Sequence, residues 1–119
     1  MKTVINSPVK EEALLLTVTR NIEVVDISTI VRIEASSNYS KIYFTNGQKL
    51  VSSKVLRWFE EHLPGQLFVR IHRTHLVNKK FICTYLYGSG KIGLSTGEWI
   101  RVSRRKKEDF LKGWYTAAA

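Results

Sequence analysis

VRIHRTHLVNKK, residues Val69 to Lys80, decides how this chain is read. It opens as a buried strand does, with Val69 and Ile71 facing one way and Arg70 and His72 the other. The alternation then breaks. Arg73, Thr74 and His75 follow in a row before Leu76 and Val77 resume the apolar theme. A strand that leaves its sheet to offer a loop gives this pattern, anchored by Val69 and Ile71 before the break and by Leu76 and Val77 after it. Such a cluster of hydrogen-bonding side chains raises four chemistries: a metal site, a catalytic site, a nucleic-acid reader, or a polar network in the core.

The flanks set the fold class. Upstream, SKVLRWFEEHLPG carries Val55, Leu56, Trp58, Phe59 and Leu63 at helical spacing, with Ser52 or Ser53 placed to cap its start and Pro64-Gly65 to stop it. Before it, ALLLTV, IEVV, IVRIEA, KIYFT and QKLVS read as strands, the last two joined by Asn46-Gly47, a strong hairpin signal. Asp26 to Thr29 reads as one helical turn or a loop, and SSNYS as a loop. Downstream, FICTYLY, KIGLS and EWIRV are strands punctuated by Gly88-Ser89-Gly90 and Thr96-Gly97. SRRKKEDFLKGW closes the chain as a short helix with Ser103 at its N-cap and Phe110, Leu111 and Trp114 on one face. Many short, turn-separated strands with one middle helix and one terminal helix predict a mostly antiparallel β fold. The 119 residues make one domain by length. Residues 1–12 read as a tail or linker, 13–114 as the domain and 115–119 as a second tail.

The charge is lopsided. The net is +9, with a pI near 9.9. Residues 1–60 carry eight Lys/Arg against six Asp/Glu, while residues 61–119 carry eleven against four. Between Arg70 and Lys107 the only acid is Glu98. A basic half on a small domain is a footprint for a polyanion. No apolar run nears the roughly 20 residues that span a bilayer. The N-terminus lacks a signal-peptide layout. The lone Cys83 excludes an internal disulfide and is expected to be a small buried hydrophobe with an inert thiol, so a reducing cytoplasm is the simplest home.

Catalytic and metal chemistry lack their parts. His72 and His75 form an H-x-x-H with no second cysteine and no acid between Glu61 and Glu98, and on one strand the two rings would point to opposite faces. No G-x-S-x-G elbow and no phosphate-cradling glycine loop occurs. The paired acids Glu11-Glu12, Glu60-Glu61 and Glu108-Asp109 lie on a tail or on expected helix surfaces. The chain is therefore read as a non-enzyme with no cofactor and no metal.

The basic clusters carry more. Arg104, Arg105, Lys106 and Lys107 crowd the first turn of the closing helix, where the macrodipole favours anions and each cation costs about 0.3–1 kcal/mol. They either splay into water or meet a phosphate, which a helix N-terminus already welcomes. Arg73, Thr74, Asn78, Lys79 and Lys80 form a second cluster. Arg suits guanine and Asn adenine, while Thr and Lys suit phosphate. Local readings stand beside these. His72 is either a loop-fixing imidazole or a phosphate contact, His75 is local packing, and Asn78 is a turn residue that caps its own backbone. The polar run Ser36 to Lys41 is either a solvated connection or a contact loop.

Three segments, IVRIEASSNYSKIYF, LFVRIHRTHLVNKKFI and GEWIRVSRRKK, occur in this order with the VLRWFEEHL helix between the first two. Together they resemble the LytTR DNA-binding domain of bacterial response regulators, over about residues 13–112. That family carries Ile-Glu-Ala followed by Asn-Tyr, then Phe-x-Arg-Ile-His-Arg-Ser-x-x-Val-Asn, then Val-Ser-Arg. Thr74 here replaces the Ser and keeps its hydroxyl, and Ser37 stands where a Gly is frequent. The resemblance implies an elongated stack of small antiparallel sheets whose loops enter successive major grooves. It implies base reading by Ser40 or its neighbour Asn38, by Arg73 and by Arg104. The phosphate contacts are assigned to Lys41, His72, Thr74, Lys79, Lys80, Arg105 and Lys106. It further implies double-stranded DNA bound as direct repeats by two domains, and an upstream receiver domain that these 119 residues do not contain. The expectation is thus a sequence-specific transcription regulator of a two-component system. The alternative is a basic RNA-binding or partner-recognition module, for which Tyr39, Tyr43, Tyr85 and Tyr87 would be the stacking aromatics.

Overall fold

The computed structural model describes residues 12–114. The expected tails therefore lie outside the described residues, apart from Glu12. Among the described residues ten strands form three antiparallel sheets, and this part measures 46 × 35 × 24 Å. Strands β1 (Ala13–Val18) and β2 (Asn21–Asp26) make a two-stranded ribbon. A five-stranded sheet holds β3 (Ile30–Ser36), β4 (Tyr39–Phe44), β5 (Lys49–Ser52), β6 (Phe68–His72) and β7 (His75–Asn78) in the order β5-β4-β3-β7-β6. The third sheet has the order β10-β9-β8, from β8 (Ile82–Leu86), β9 (Lys91–Leu94) and β10 (Trp99–Arg101). Helix α1 (Leu56–His62) precedes β6, and α2 (Arg104–Lys112) follows β10. This is the mostly antiparallel β fold with one middle and one closing helix that the sequence predicts, arranged as the stack of small sheets that the resemblance implies.

The central sheet is apolar on both faces, and so builds two cores. On one face Ile33, Ile42, Phe68 and Leu76 pack with Leu14, Leu16 and Val25 of the ribbon and with Leu56 and Phe59 of α1. On the other, Val31, Ile71 and Val77 meet Ile92 and Ile100 of the third sheet and Phe110 of α2. Neighbouring residues Leu76 and Val77 thus feed opposite cores, as strand alternation requires. The turns follow their residues. Asn46-Gly47 closes β4 on β5 with Gly47 at φ +87°, and Asn46 Oδ1 accepts from Gln48 N. Asp26 caps a 3-10 turn over Ile27–Thr29.

Several sequence expectations change. The stretch after the break is a strand in its own right: β7 pairs with β6 and also with β3, in the middle of the sheet. The broken alternation is a β-bulge, since Arg70 faces Leu76 while His72 faces His75, which frees Ile71 to enter the second core. The expected SSNYS loop shrinks to a two-residue turn, Ser37-Asn38, with Ser37 at φ +60°. Neither Ser52 nor Ser53 caps α1. Its N-cap is Val55 without a side-chain bond, and Ser52 Oγ is used by Lys54 N. Cys83 is exposed rather than buried, because the bulge between Ile82 and Thr84 turns it outward. No helix among the described residues is long and apolar enough to cross a membrane.

Candidate nucleic-acid interface

Three polar corners gather at one end of the strands of the central sheet. The Ser37-Asn38 turn closes β3 on β4, and the Arg73-Thr74 turn closes β6 on β7. Because Glu34 on β3 pairs with both Lys41 and His75, these two turns leave the sheet on the same side. Ala35 N donates to Thr74 O at 2.9 Å and ties them together. Ser103 N donates to Ile71 O at 2.8 Å, which brings the start of α2 beside the same strand end. Asn38, Arg73 and Arg104 are exposed, one at each corner.

Arg73 stands on a built support. Arg70, mostly buried, donates from Nε to His72 O at 2.9 Å and from Nη2 to Arg73 O at 2.6 Å. Its Nη1 reaches Glu60 on α1 at 2.6 Å. His72 Nδ1 lies 2.9 Å from Thr74 Oγ1 and 3.1 Å from Thr74 N. His72 Nδ1 thus helps to fix the turn and engages the Thr74 hydroxyl locally. Because of the hairpin, His72 and His75 are cross-strand neighbours, with ring centroids 5.6 Å apart. They do not point to opposite faces as a single strand would have it. No third ligand-type side chain joins them among the described residues.

The remaining predicted residues divide. Lys41 sits on β4 beside the first turn, half-buried and opposite Glu34. Arg105 and Lys106 occupy the first turn of α2 with Arg104, where Ser103 Oγ accepts from Lys106 N as the cap. Ser40 is a correction: it is 0 % exposed and its hydroxyl donates to Lys54 O at 2.7 Å, so it braces the end of the sheet and offers nothing to a base. Lys79 and Lys80 stand apart from the three corners. They lie beyond Asn78, at the opposite end of β7 from the Arg73 turn, about 13 Å away by strand rise. Lys79 Nζ approaches Gly113 O at 3.3 Å and the Trp114 ring at 5.5 Å, so it fastens the end of α2. Asn78 does cap its own backbone, accepting from Lys80 N, and its buried amide also donates to Ile30 O.

A charged joint links the central sheet to the third beside these corners. Arg32, on β3, donates to Glu34 and to both carboxylate oxygens of Glu98, and lies over the Tyr43 ring at 3.9 Å. Burial works against its charge, but the bonds to Glu98 and Glu34 outweigh this and hold its pKa above the ordinary value. The Arg32 hydrogen bond lowers the Glu98 pKa against burial. Burial would raise that of Glu34, but the same guanidinium prevails and lowers it. Burial, helped by Arg32 and opposed by Glu34, keeps the His75 pKa below its usual value, and its Nδ1 is buried without a partner. The sequence reading missed both Arg70 and Arg32. Their signal, an arginine alternating with apolar residues inside a strand, is shared by any solvated strand face.

Comparison with known proteins bears on the family and the fold. The family description "LytTr DNA-binding domain" matches residues 20–114. Among solved structures, a LytTr DNA-binding domain of a methyl-accepting/DNA response regulator from Bacillus cereus superposes with a TM-score of 0.73 at 24% identity, covering 87% of this chain and 96% of that one. Comparison with curated proteins gave no match. With the family pattern running over most of the chain and the same stack of sheets beneath it, the chain belongs to the LytTR family of DNA-binding domains.

Proposed function

We propose that this chain is the sequence-specific output domain of a transcription regulator, reading the major grooves of duplex DNA through the three corners. The observation that carries the reading is the tie of the Ser37-Asn38, Arg73-Thr74 and Ser103-Arg104 corners to one sheet end by two backbone bonds. A rigid scaffold with exposed cations at neighbouring tips suits a duplex, whose charge is regular and whose grooves recur. Arg73 and Arg104 read bases, with Asn38 at the first turn. Lys41, Arg105 and Lys106 hold phosphates, and Thr74 joins them through whatever capacity His72 leaves its hydroxyl. The neutralisation that α2 lacks at its N-terminus then comes from the phosphate it binds. On this reading two domains occupy direct repeats, and a receiver domain elsewhere in the regulator controls them in a bacterial cytoplasm.

Selecting bound sequences from a random duplex pool tests the proposal. A repeated motif should emerge, and Arg73→Ala or Arg104→Ala should blur it and cost about 1–3 kcal/mol on the selected site. Displacement of the duplex by single-stranded RNA at equal salt would overturn it in favour of an RNA module.

A further inference from the structure

The outer face of the third sheet adds a surface to those three corners. Ile92 and Ile100 are a cross-strand pair buried in the second core, so their neighbours in register, Lys91 with Arg101 and Gly93 with Trp99, face outward. Trp99 is 53% exposed, and Arg101 is exposed beside it. The indole lies flat over β9, since a Cβ added at Gly93 would meet Trp99 Cζ3 at 3.0 Å and Thr84 Cγ2 at 2.9 Å. Only glycine there lets the ring take this place. The one carboxylate on the adjoining turn, Glu98, is already bonded to Arg32 and Thr96. Two cations and an indole N–H thus stand on a face whose nearest acid is neutralised.

The face is continuous with the corners. Val102 N donates to Gly90 O at 2.8 Å and Ser103 N to Ile71 O at 2.8 Å, so the Lys91–Arg101 end of the sheet is the end from which Arg104 emerges. Trp99 and Arg101 also border the shallow hollow between the sheets that Glu34 and His75 line beside the Arg73 turn.

We infer that Lys91, Trp99 and Arg101 form a sequence-independent clamp on the phosphate backbone of the same duplex, beyond the bases read by Arg104. The inference rests on the DNA reading above. Cations supply the attraction and the indole N–H one oriented donor, and none of the three reaches a base edge.

The test is an anisotropy titration of the whole chain across salt concentrations. It uses a duplex from the selected pool, once trimmed to the motif and once with about ten flanking base pairs on each side. For Lys91→Ala/Arg101→Ala the flanked duplex should bind about tenfold more weakly at low salt, with a salt slope smaller by about two units and the base preference unchanged. On the trimmed duplex the variant should match the wild type. Trp99→Phe, which keeps an aromatic ring and loses the N–H, should show a smaller loss on the flanked duplex only. An unchanged slope on the flanked duplex, with Arg73→Ala still blurring the motif, overturns the clamp and leaves the DNA reading standing. Wild-type chain that prefers no duplex sequence, with Arg73→Ala behaving identically, overturns both.

Discussion

At the scale of the residue, two arginines three apart divide one task. Arg73 is exposed at the tip of its turn, and Arg70 lies half-buried beneath it, bonded to the carbonyls of His72 and Arg73 and to Glu60. Arg70→Gln keeps a donor but not the fork, so the turn loses its fixed geometry. Binding to the selected duplex should weaken by about tenfold, and preference should fade at the base position that the proposal gives to Arg73, through the turn rather than through a contact of Arg70 itself. Glu60→Gln removes one half-exposed ion pair and should cost about 0.2–1 kcal/mol of stability, with little change in base preference. Lys79→Ala makes the contrast. Since Lys79 serves the end of α2, its loss should leave the salt slope of binding unchanged, and a slope lower by about one unit would return Lys79 to the phosphates. The exposed place of Arg73 at a turn was legible in the sequence because it stands where apolar alternation fails. Arg70 was not, because its partners are a carboxylate ten residues upstream and two backbone oxygens, and only the hairpin brings them together. Ser40 misled for the same reason: its residue type fits a contact loop, while its burial depends on Lys54, fourteen residues on.

Among the elements, the joint between β3 and the β9–β10 turn ties stability to pH. Glu34 and Glu98 have lowered pKa values in the fold, so their stabilisation is full above the ordinary carboxylate value near 4.5 and is lost as pH falls below it. His75 is also lowered, from 6.5, so the unfolded chain takes up its proton first and acid again favours unfolding. Both effects run the same way. The melting temperature should begin to fall as pH drops below about 6.5 and fall more steeply below about 4.5. In His75→Gln the upper part of the decline should shrink while the lower part persists, and thermal melts at half-unit pH steps check both. The sequence foretold the strands that enter this joint but not the joint itself. Arg32, Glu34 and Glu98 read as ordinary outward charges, and their meeting spans sixty-six residues. It also missed β7, because four residues between a polar turn and a 3-10 turn carry too short an alternation to declare a strand.

Across the whole molecule, one central sheet separates two cores, and β7 contributes to both through Leu76 and Val77. A chain with two cores could melt in two steps. The shared strand argues against that, because unpairing β7 strips β3 and β6 of a partner and opens both apolar faces together. Leu76→Ala, on the α1 side, should cost about 2–5 kcal/mol, and Val77→Ala, on the α2 side, somewhat less because fewer buried atoms are lost. The decisive readout is coincidence. Trp58 packs against the first core, and Trp114 stacks edge-on to Phe110 of the second. Single-tryptophan variants retaining one or the other should melt at the same denaturant concentration, and each truncation should shift both probes equally although it lies on one side only. Separate midpoints, with Val77→Ala moving only the Trp114 signal, would mean that the two layers fold independently. The three corners would then owe their alignment to docking of preformed layers, since Arg104 leaves from the α2 side while Asn38 and Arg73 belong to the central sheet. A single transition instead makes the alignment of Asn38, Arg73 and Arg104 a property of the folded state as a whole. In that case a core substitution that lowers stability without unfolding the chain should leave base preference intact.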